Sequence, residues 1–163
     1  MRWPAYFILV YLTVGLQIGA GESLRVHGAR PDLVLLAVIF ICVNAPRDAA
    51  LLGAFGIGLV QDLVTLSPLG LYALAYSLAG LFAINSRELL HKGHPLAQFF
   101  LAFAASLAAA AVVLIHGWIK GPSASFTELT GSAAYTALLA PVILTLLNQM
   151  RKGFGFKRRS RAY

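Results

Sequence analysis

The sequence predicts an all-α integral membrane protein with six transmembrane helices, and three observations carry that prediction. Hydrophobic residues fill 59% of the 163 positions and charged residues only 12%, against about a quarter charged in a soluble domain. The apolar residues fall in six blocks, most of them near the roughly 20 residues that a bilayer span requires and the rest somewhat shorter. Cations gather at the ends of those blocks, which is how topology determinants are placed. The mean hydropathy of +0.77 agrees.

The first block covers about residues 3–20 behind a Met-Arg start. Ile18-Gly19-Ala20 is a poor signal-peptide cleavage site, so the block reads as a retained helix. A polar loop leads to Pro31 and Asp32, and proline in a first turn beside an acid starts a helix well. That second helix runs over about 31–45 and is short for a span, so it must lean on longer neighbours or thin the bilayer.

The stretch from Asn44 to Tyr76, a hairpin of the third helix (about 48–64) and the fourth, is the one around which the rest is expected to be organised. Ala50, Ala54 and Gly58 recur every fourth position and lead to Asp62, because residues four apart stack on one helix face. Ala49, Gly53 and Gly56 smooth an adjacent side, so close packing on two sides is expected. Pro68 and Gly70 open the fourth helix, about 68–84, where Ala73, Ser77 and Gly80 make another small face and Tyr72 and Tyr76 lie four apart.

The fifth helix, about 95–118, has an aromatic start at Phe99, Phe100 and Phe103, an alanine-rich middle, and Trp118 suited to an interfacial belt. The polar stretch Ser125 to Glu128 reads as loop. The sixth helix, about 131–150, carries Pro141 mid-span, which predicts a kink. Residues 1–150 thus form one six-helix domain, and 151–163 a basic cytoplasmic tail.

Six spans put both termini on one side. Arg2, Arg47, Arg87, Lys92 and the tail place ten cations there, against three (Arg25, Arg30, Lys120) opposite. The positive-inside rule therefore sets both termini in the cytoplasm. The net charge of +7 does not mark a nucleic-acid binder, because six of thirteen cations sit in the last thirteen residues with no aromatic platform beside them. Cys42 stands alone, so the chain has no internal disulfide and no cysteine metal site.

No catalytic set emerges. Glu22, Asp32, Asp48, Asp62, Glu88 and Glu128 are scattered, with no pair at acid/base spacing on one helix face. His91 and His94 lack a third ligand, His116 lies beside Trp118 near a helix end, and the glycines of helix three lack the lysine of a phosphate loop. The expectation is a non-enzyme with no cofactor and no metal. Asp62 admits two readings: an intramembrane acid that lines a cavity or meets a partner helix, or a cap accepting amide hydrogen bonds around Ser67 and Gly70. Facing lipid it would cost about 3 kcal/mol at mid-bilayer and less near an interface. Arg47 is either a positive-inside anchor or a contact for a cytoplasmic partner. The candidate structural and partner-binding residues are Pro31, Asp32, Arg47, Gly53, Gly58, Asp62 and Gly70.

Several of these residues carry a resemblance. Arg30-Pro31-Asp32 with LVLLAVIF, then Pro46-Arg47, the glycine run from Gly53 to Asp62, Ser67-Pro68-Leu69-Gly70 with LYALAYSLAGL, and the close ALLAPVILTLLNQMRK together resemble the MreD family. The resemblance is strongest from Arg30 to Leu81 and covers most of the chain. It implies a non-enzymatic scaffold of the rod-shape machinery in the bacterial inner membrane, helping to position peptidoglycan synthesis. The partners it implies are an MreC-like bitopic protein and, through it, MreB, RodA and a class B penicillin-binding protein. It also implies a fold similar to the substrate-binding subunits of energy-coupling-factor transporters, with a vitamin-type transporter subunit as the alternative function. Those subunits generally carry an alanine-x-x-x-alanine pattern in the first helix, and Ala5 followed by Leu9 breaks it.

Overall fold

The structure, a computed structural model, describes residues 3–21, 23, 29–87, 95–120 and 126–149. All regular structure described is helical: α1 (Trp3–Gly21), α2 (Leu33–Asn44), α3 (Arg47–Val64), α4 (Leu71–Asn85), α5 (Pro95–Lys120) and α6 (Phe126–Gln149). Two of them, over Leu96–Ile119 and Leu129–Gln149, are long and apolar enough to cross a membrane. The apolar stretches Tyr6–Gly19, Leu33–Asn44 and Leu71–Asn85 are shorter. His91, His94 and the basic tail lie outside the described residues.

α2 is the axis of the bundle. Its sequence, LVLLAVIFICVN, has no charged residue and no polar face, and a helix apolar all round must be enclosed. Every residue from Leu33 to Cys42 is buried. At 12 residues it is about 18 Å long, well short of the hydrocarbon core, and it is covered by longer neighbours. α1, α3, α4 and α6 pack directly on it, and α5 closes the ring through its contacts with α4 and α6. α1 contributes Tyr6, Leu9, Val10 and Val14 to the core and turns Phe7, Ile8, Tyr11 and Leu12 outward.

Small residues set the close approaches. A Cβ on Gly58 would lie 2.6 Å from both the Ala73 nitrogen and the Tyr72 carbonyl oxygen, and closer still to the Ala73 Cα. The α3 and α4 backbones therefore touch, which only glycine permits at this position. Gly80 of α4 meets side chains instead, with the Cys42 Sγ of α2 2.9 Å from where its Cβ would stand.

The ends of these helices are closed by hydrogen bonds. Between α2 and α3, the Ala45 N–H donates to the Ile41 carbonyl and the Ala50 N–H to the Pro46 carbonyl, both at 2.8 Å. Arg87, just beyond α4, reaches back to this corner. Its Nε and Nη2 donate to the Cys42 carbonyl, and Nη2 also donates to the Ala45 carbonyl at 2.7 Å. The last carbonyls of a buried helix need such partners.

α3 ends in a Schellman motif. The Ser67 N–H donates to the Asp62 carbonyl at 3.0 Å across Leu66, which takes the left-handed conformation (φ 53°) that glycine usually fills. The Leu71 N–H then donates to the Pro68 carbonyl at 3.1 Å, closing a type II turn whose third residue is Gly70 at φ 101°. Residues 68–70 thus belong to the turn, and α4 starts at Leu71 instead of Pro68. α6 starts at Phe126 instead of Gly131, so the stretch read as polar loop supplies its first turn. The α6 helix runs unbroken through Pro141.

Candidate functional site

One end of the bundle concentrates the polar side chains. Pro31 is buried and has no N–H to satisfy, so the chain can turn there into α2 without a lost donor. Asp32 is the N-cap of α2: its Oδ1 accepts the Leu35 N–H at 2.8 Å. The same carboxylate accepts the Tyr76 hydroxyl of α4, at 2.8 Å on Oδ2 and 3.1 Å on Oδ1. The Asp32 N–H donates to the Thr136 hydroxyl oxygen of α6 at 2.8 Å, and that hydroxyl donates to the Ser132 carbonyl at 2.7 Å. The Arg30 N–H donates to the Ser132 hydroxyl oxygen at 3.1 Å.

α1 joins the same knot through Gln17. Its amide nitrogen donates to the Pro31 carbonyl at 3.0 Å, and its amide oxygen accepts the Leu33 N–H at 2.9 Å. The tripeptide Arg30-Pro31-Asp32 is therefore tied to α1, α4 and α6 at once. A largely part-buried network of this kind favours one geometry, because breaking its inner bonds leaves donors or acceptors poorly placed to find water.

Asp62 stands beside it. Its side chain is 0% exposed, and both oxygens are filled by N–H groups of this chain. Oδ2 accepts Gly70 at 2.8 Å and Ala73 at 3.4 Å, and Oδ1 accepts Tyr72 at 2.8 Å. Gly70 is the N-cap of α4 and has no side chain with which to do this. An acid on α3 thus does the capping for α4, placing negative charge where the helix dipole favours it. The Tyr72 and Tyr76 rings, 5.7 Å apart between centroids, connect the Asp62 cap to the Asp32 cap.

The structure accordingly brings Pro31, Asp32, Gly58, Asp62 and Gly70 to one end of the bundle. Gly53 lies further along α3, where its carbonyl accepts the Tyr6 hydroxyl at 2.8 Å, and Gly56 packs under the same hydroxyl. Arg47 is exposed at the opposite end of α3, next to exposed Asp48. The small faces of α3 are filled by α4 and α1 of this chain.

Reading the sequence for chemistry missed Gln17, Tyr76 as a partner of Asp32, Ser132, Thr136 and the capping role of Arg87. Gln17 carried a signal, since it is the sole amide side chain in its own apolar block. Arg87 carried none, because a cation after an apolar block reads equally well as a topology determinant. Among the described residues, no group of three or more His, Cys, Asp or Glu is placed to hold a metal ion.

The arrangement positions helices and holds no open reactive group among the residues just named. The family model for rod shape-determining protein MreD matches residues 1–150. Searches of curated proteins and of solved structures gave no match. With a match running from the first residue through α6, the chain belongs to the MreD family of rod shape-determining membrane proteins.

Proposed function

We propose that this chain is a non-enzymatic scaffold of the cell-elongation machinery, crossing the bacterial inner membrane six times with both termini in the cytoplasm. It binds an MreC-like bitopic protein and through it helps position MreB, RodA and a class B penicillin-binding protein for peptidoglycan synthesis. The observation that carries this reading is the family match over residues 1–150. The cation count by loop supports the orientation, and the six-helix bundle around α2 is in keeping with a fold similar to energy-coupling-factor substrate-binding subunits.

The candidate residues divide by place. Pro31, Asp32, Gly53, Gly58, Asp62 and Gly70 serve partner binding by holding the bundle in the shape the partner recognises. Arg47, exposed at a turn facing the cytoplasm in this orientation, is offered directly to a cytoplasmic partner. The tail from residue 151 adds cations on that same side, where anionic lipid attracts them.

The test is capture from mildly solubilised membranes after light crosslinking. Wild-type chain should bring down an MreC-like protein and restore rod shape to a depleted strain, while Arg47→Ala should weaken capture with the fold intact. Membranes that yield no such partner, or a purified chain that turns over a substrate alone, would overturn the reading. Thermal stabilisation by a vitamin would point to the transporter subunit instead.

A further inference from the structure

We propose that the turn between α3 and α4 is seated at the boundary between headgroups and acyl chains, with Leu66 and Leu69 reaching into the acyl chains of the outer leaflet. This rests on the multi-span reading above, and it concerns where in the membrane this turn lies. Its proposed occupant is lipid.

Four observations lead there. Leu66 is 93% exposed and Leu69 73% exposed, at the tip of the turn where a water-facing connection would carry polar or charged residues. Leu66 keeps this exposed place although the Schellman geometry puts it at φ 53°, a position for which glycine or asparagine is the ordinary choice. The tip continues the outward apolar surface of its two helices, Leu52, Phe55 and Leu63 on α3 and Leu74, Leu78 and Phe82 on α4. From Leu63 to Ser86 there is no charged residue at all.

The hydrogen bonding fits the same place. Irregular backbone is tolerated near hydrocarbon only where its polar groups find partners inside the protein. Of the N–H groups in and after the turn, those of Thr65, Ser67, Gly70, Leu71, Tyr72 and Ala73 are bonded within the chain, with Gly70, Tyr72 and Ala73 donating to the Asp62 carboxylate, while those of Leu66 and Leu69 are not. The Thr65 hydroxyl donates to the Gln61 carbonyl at 2.8 Å, and the Thr65 and Ser67 hydroxyls bond each other at 2.7 Å. The acid in the last turn of α3 thus answers three of the amides that would otherwise seek water, and those of Leu66 and Leu69 are left for the headgroup side of the boundary. Length agrees: α3, with 18 residues, reaches about 27 Å and α4, with 15, about 22 Å, both short of the roughly 30 Å hydrocarbon core. A hairpin of that reach, starting at the cytoplasmic face, ends below the outer headgroups.

The experiment uses the full chain in lipid vesicles with Cys42→Ser and single cysteines at Leu66, Leu69, Leu74 and Ser23, each carrying a nitroxide. Collision with oxygen, which concentrates among acyl chains, is compared with collision with a water-soluble nickel chelate. The oxygen-to-nickel ratio at positions 66 and 69 should exceed that at Ser23 severalfold and fall below that at Leu74. Ratios equal to Ser23 would place the tip in water and overturn the proposal. Low collision with both reagents would mean that a protein surface, a second copy included, covers the tip, and would overturn it equally.

A measurement free of cysteine chemistry backs it. Leu69→Trp in a Trp3→Phe, Trp118→Phe chain should be quenched by lipids brominated near the glycerol end of the acyl chain, and absence of quenching would sink the proposal. Failure of the multi-span reading shows separately. Cysteines at Ser23 and Arg47 should react with an impermeant maleimide from opposite sides of the vesicle, and reaction from one side only would discard that reading whatever the tip does.

Discussion

At the scale of single residues, Gly58 and Asp62 set the strongest expectations. Gly58→Ala puts a methyl group where the Ala73 nitrogen and Tyr72 oxygen stand 2.6 Å away, and these are backbone atoms that cannot rotate aside. The variant should lose about 1–3 kcal/mol, the usual cost of overpacking, seen as a lower unfolding midpoint in detergent. Leu59→Ala, at a half-buried position on the same helix, should lose clearly less. Asp62→Asn replaces one of two accepting oxygens with a donor that faces N–H groups already present. It should cost about 1–3 kcal/mol and speed amide exchange at Gly70, Tyr72 and Ala73; unchanged exchange would show that water takes the place of the carboxylate. The sequence marked both positions, because a small stripe ending in an acid is visible at helical spacing. It left the use of the acid open between cavity and cap, since the three amides that choose between them lie up to eleven residues downstream in a turn. Tyr76 shows the limit more sharply: nothing local connects it to Asp32, and only the folded chain brings the two together.

At the scale of elements, α2 is held at both ends by side chains from elsewhere in the chain. Asp32 with Tyr76, Thr136 and Gln17 closes one end, and Arg87 the other. Arg87→Met should keep the apolar stem and lose the donors. The corner after α2 should then loosen, with faster exchange of the Ala45 N–H, whose bond to the Ile41 carbonyl is 2.8 Å long. Exchange unchanged from wild type would reduce Arg87 to a topology charge. The six helices among the described residues were legible from hydropathy blocks alone, and so was the shortness of α2. The start of α6 was not: residues from Phe126 onward carry Thr127 and Glu128 in a first helical turn, where polar residues are at home and so imitate a loop. The central place of α2 was hidden for a different reason. A short apolar block looks the same whether lipid or protein surrounds it.

At the scale of the whole molecule, short and long helices share one bundle. α5 and α6 reach about 39 and 36 Å, while α2, α3 and α4 stay between about 18 and 27 Å. In the proposed six-span arrangement the α3–α4 side is matched to a thin bilayer, and the longer α5 and α6 fit the same bilayer by tilting. Purified chain should be most heat-stable in vesicles of shorter acyl chains and lose stability stepwise as the chains lengthen, each ångström of mismatch costing a fraction of a kcal/mol. A stability independent of chain length would mean that partner proteins or tilt absorb the difference. The family itself was legible in the ordered set of motifs between Arg30 and Leu81, since that set reports packing geometry rather than a reactive group.

The knot around Asp32 also dictates an order of events during synthesis. The donors and acceptors that finish the start of α2 come from Gln17, made earlier, and from Tyr76 and Thr136, made 44 and 104 residues later. Until α6 has been made, the Asp32 N–H lacks the Thr136 hydroxyl that it meets in the finished fold. A chain cut short before Ser132 should therefore leave the start of α2 unfinished, and limited proteolysis should cleave it there faster than the full chain.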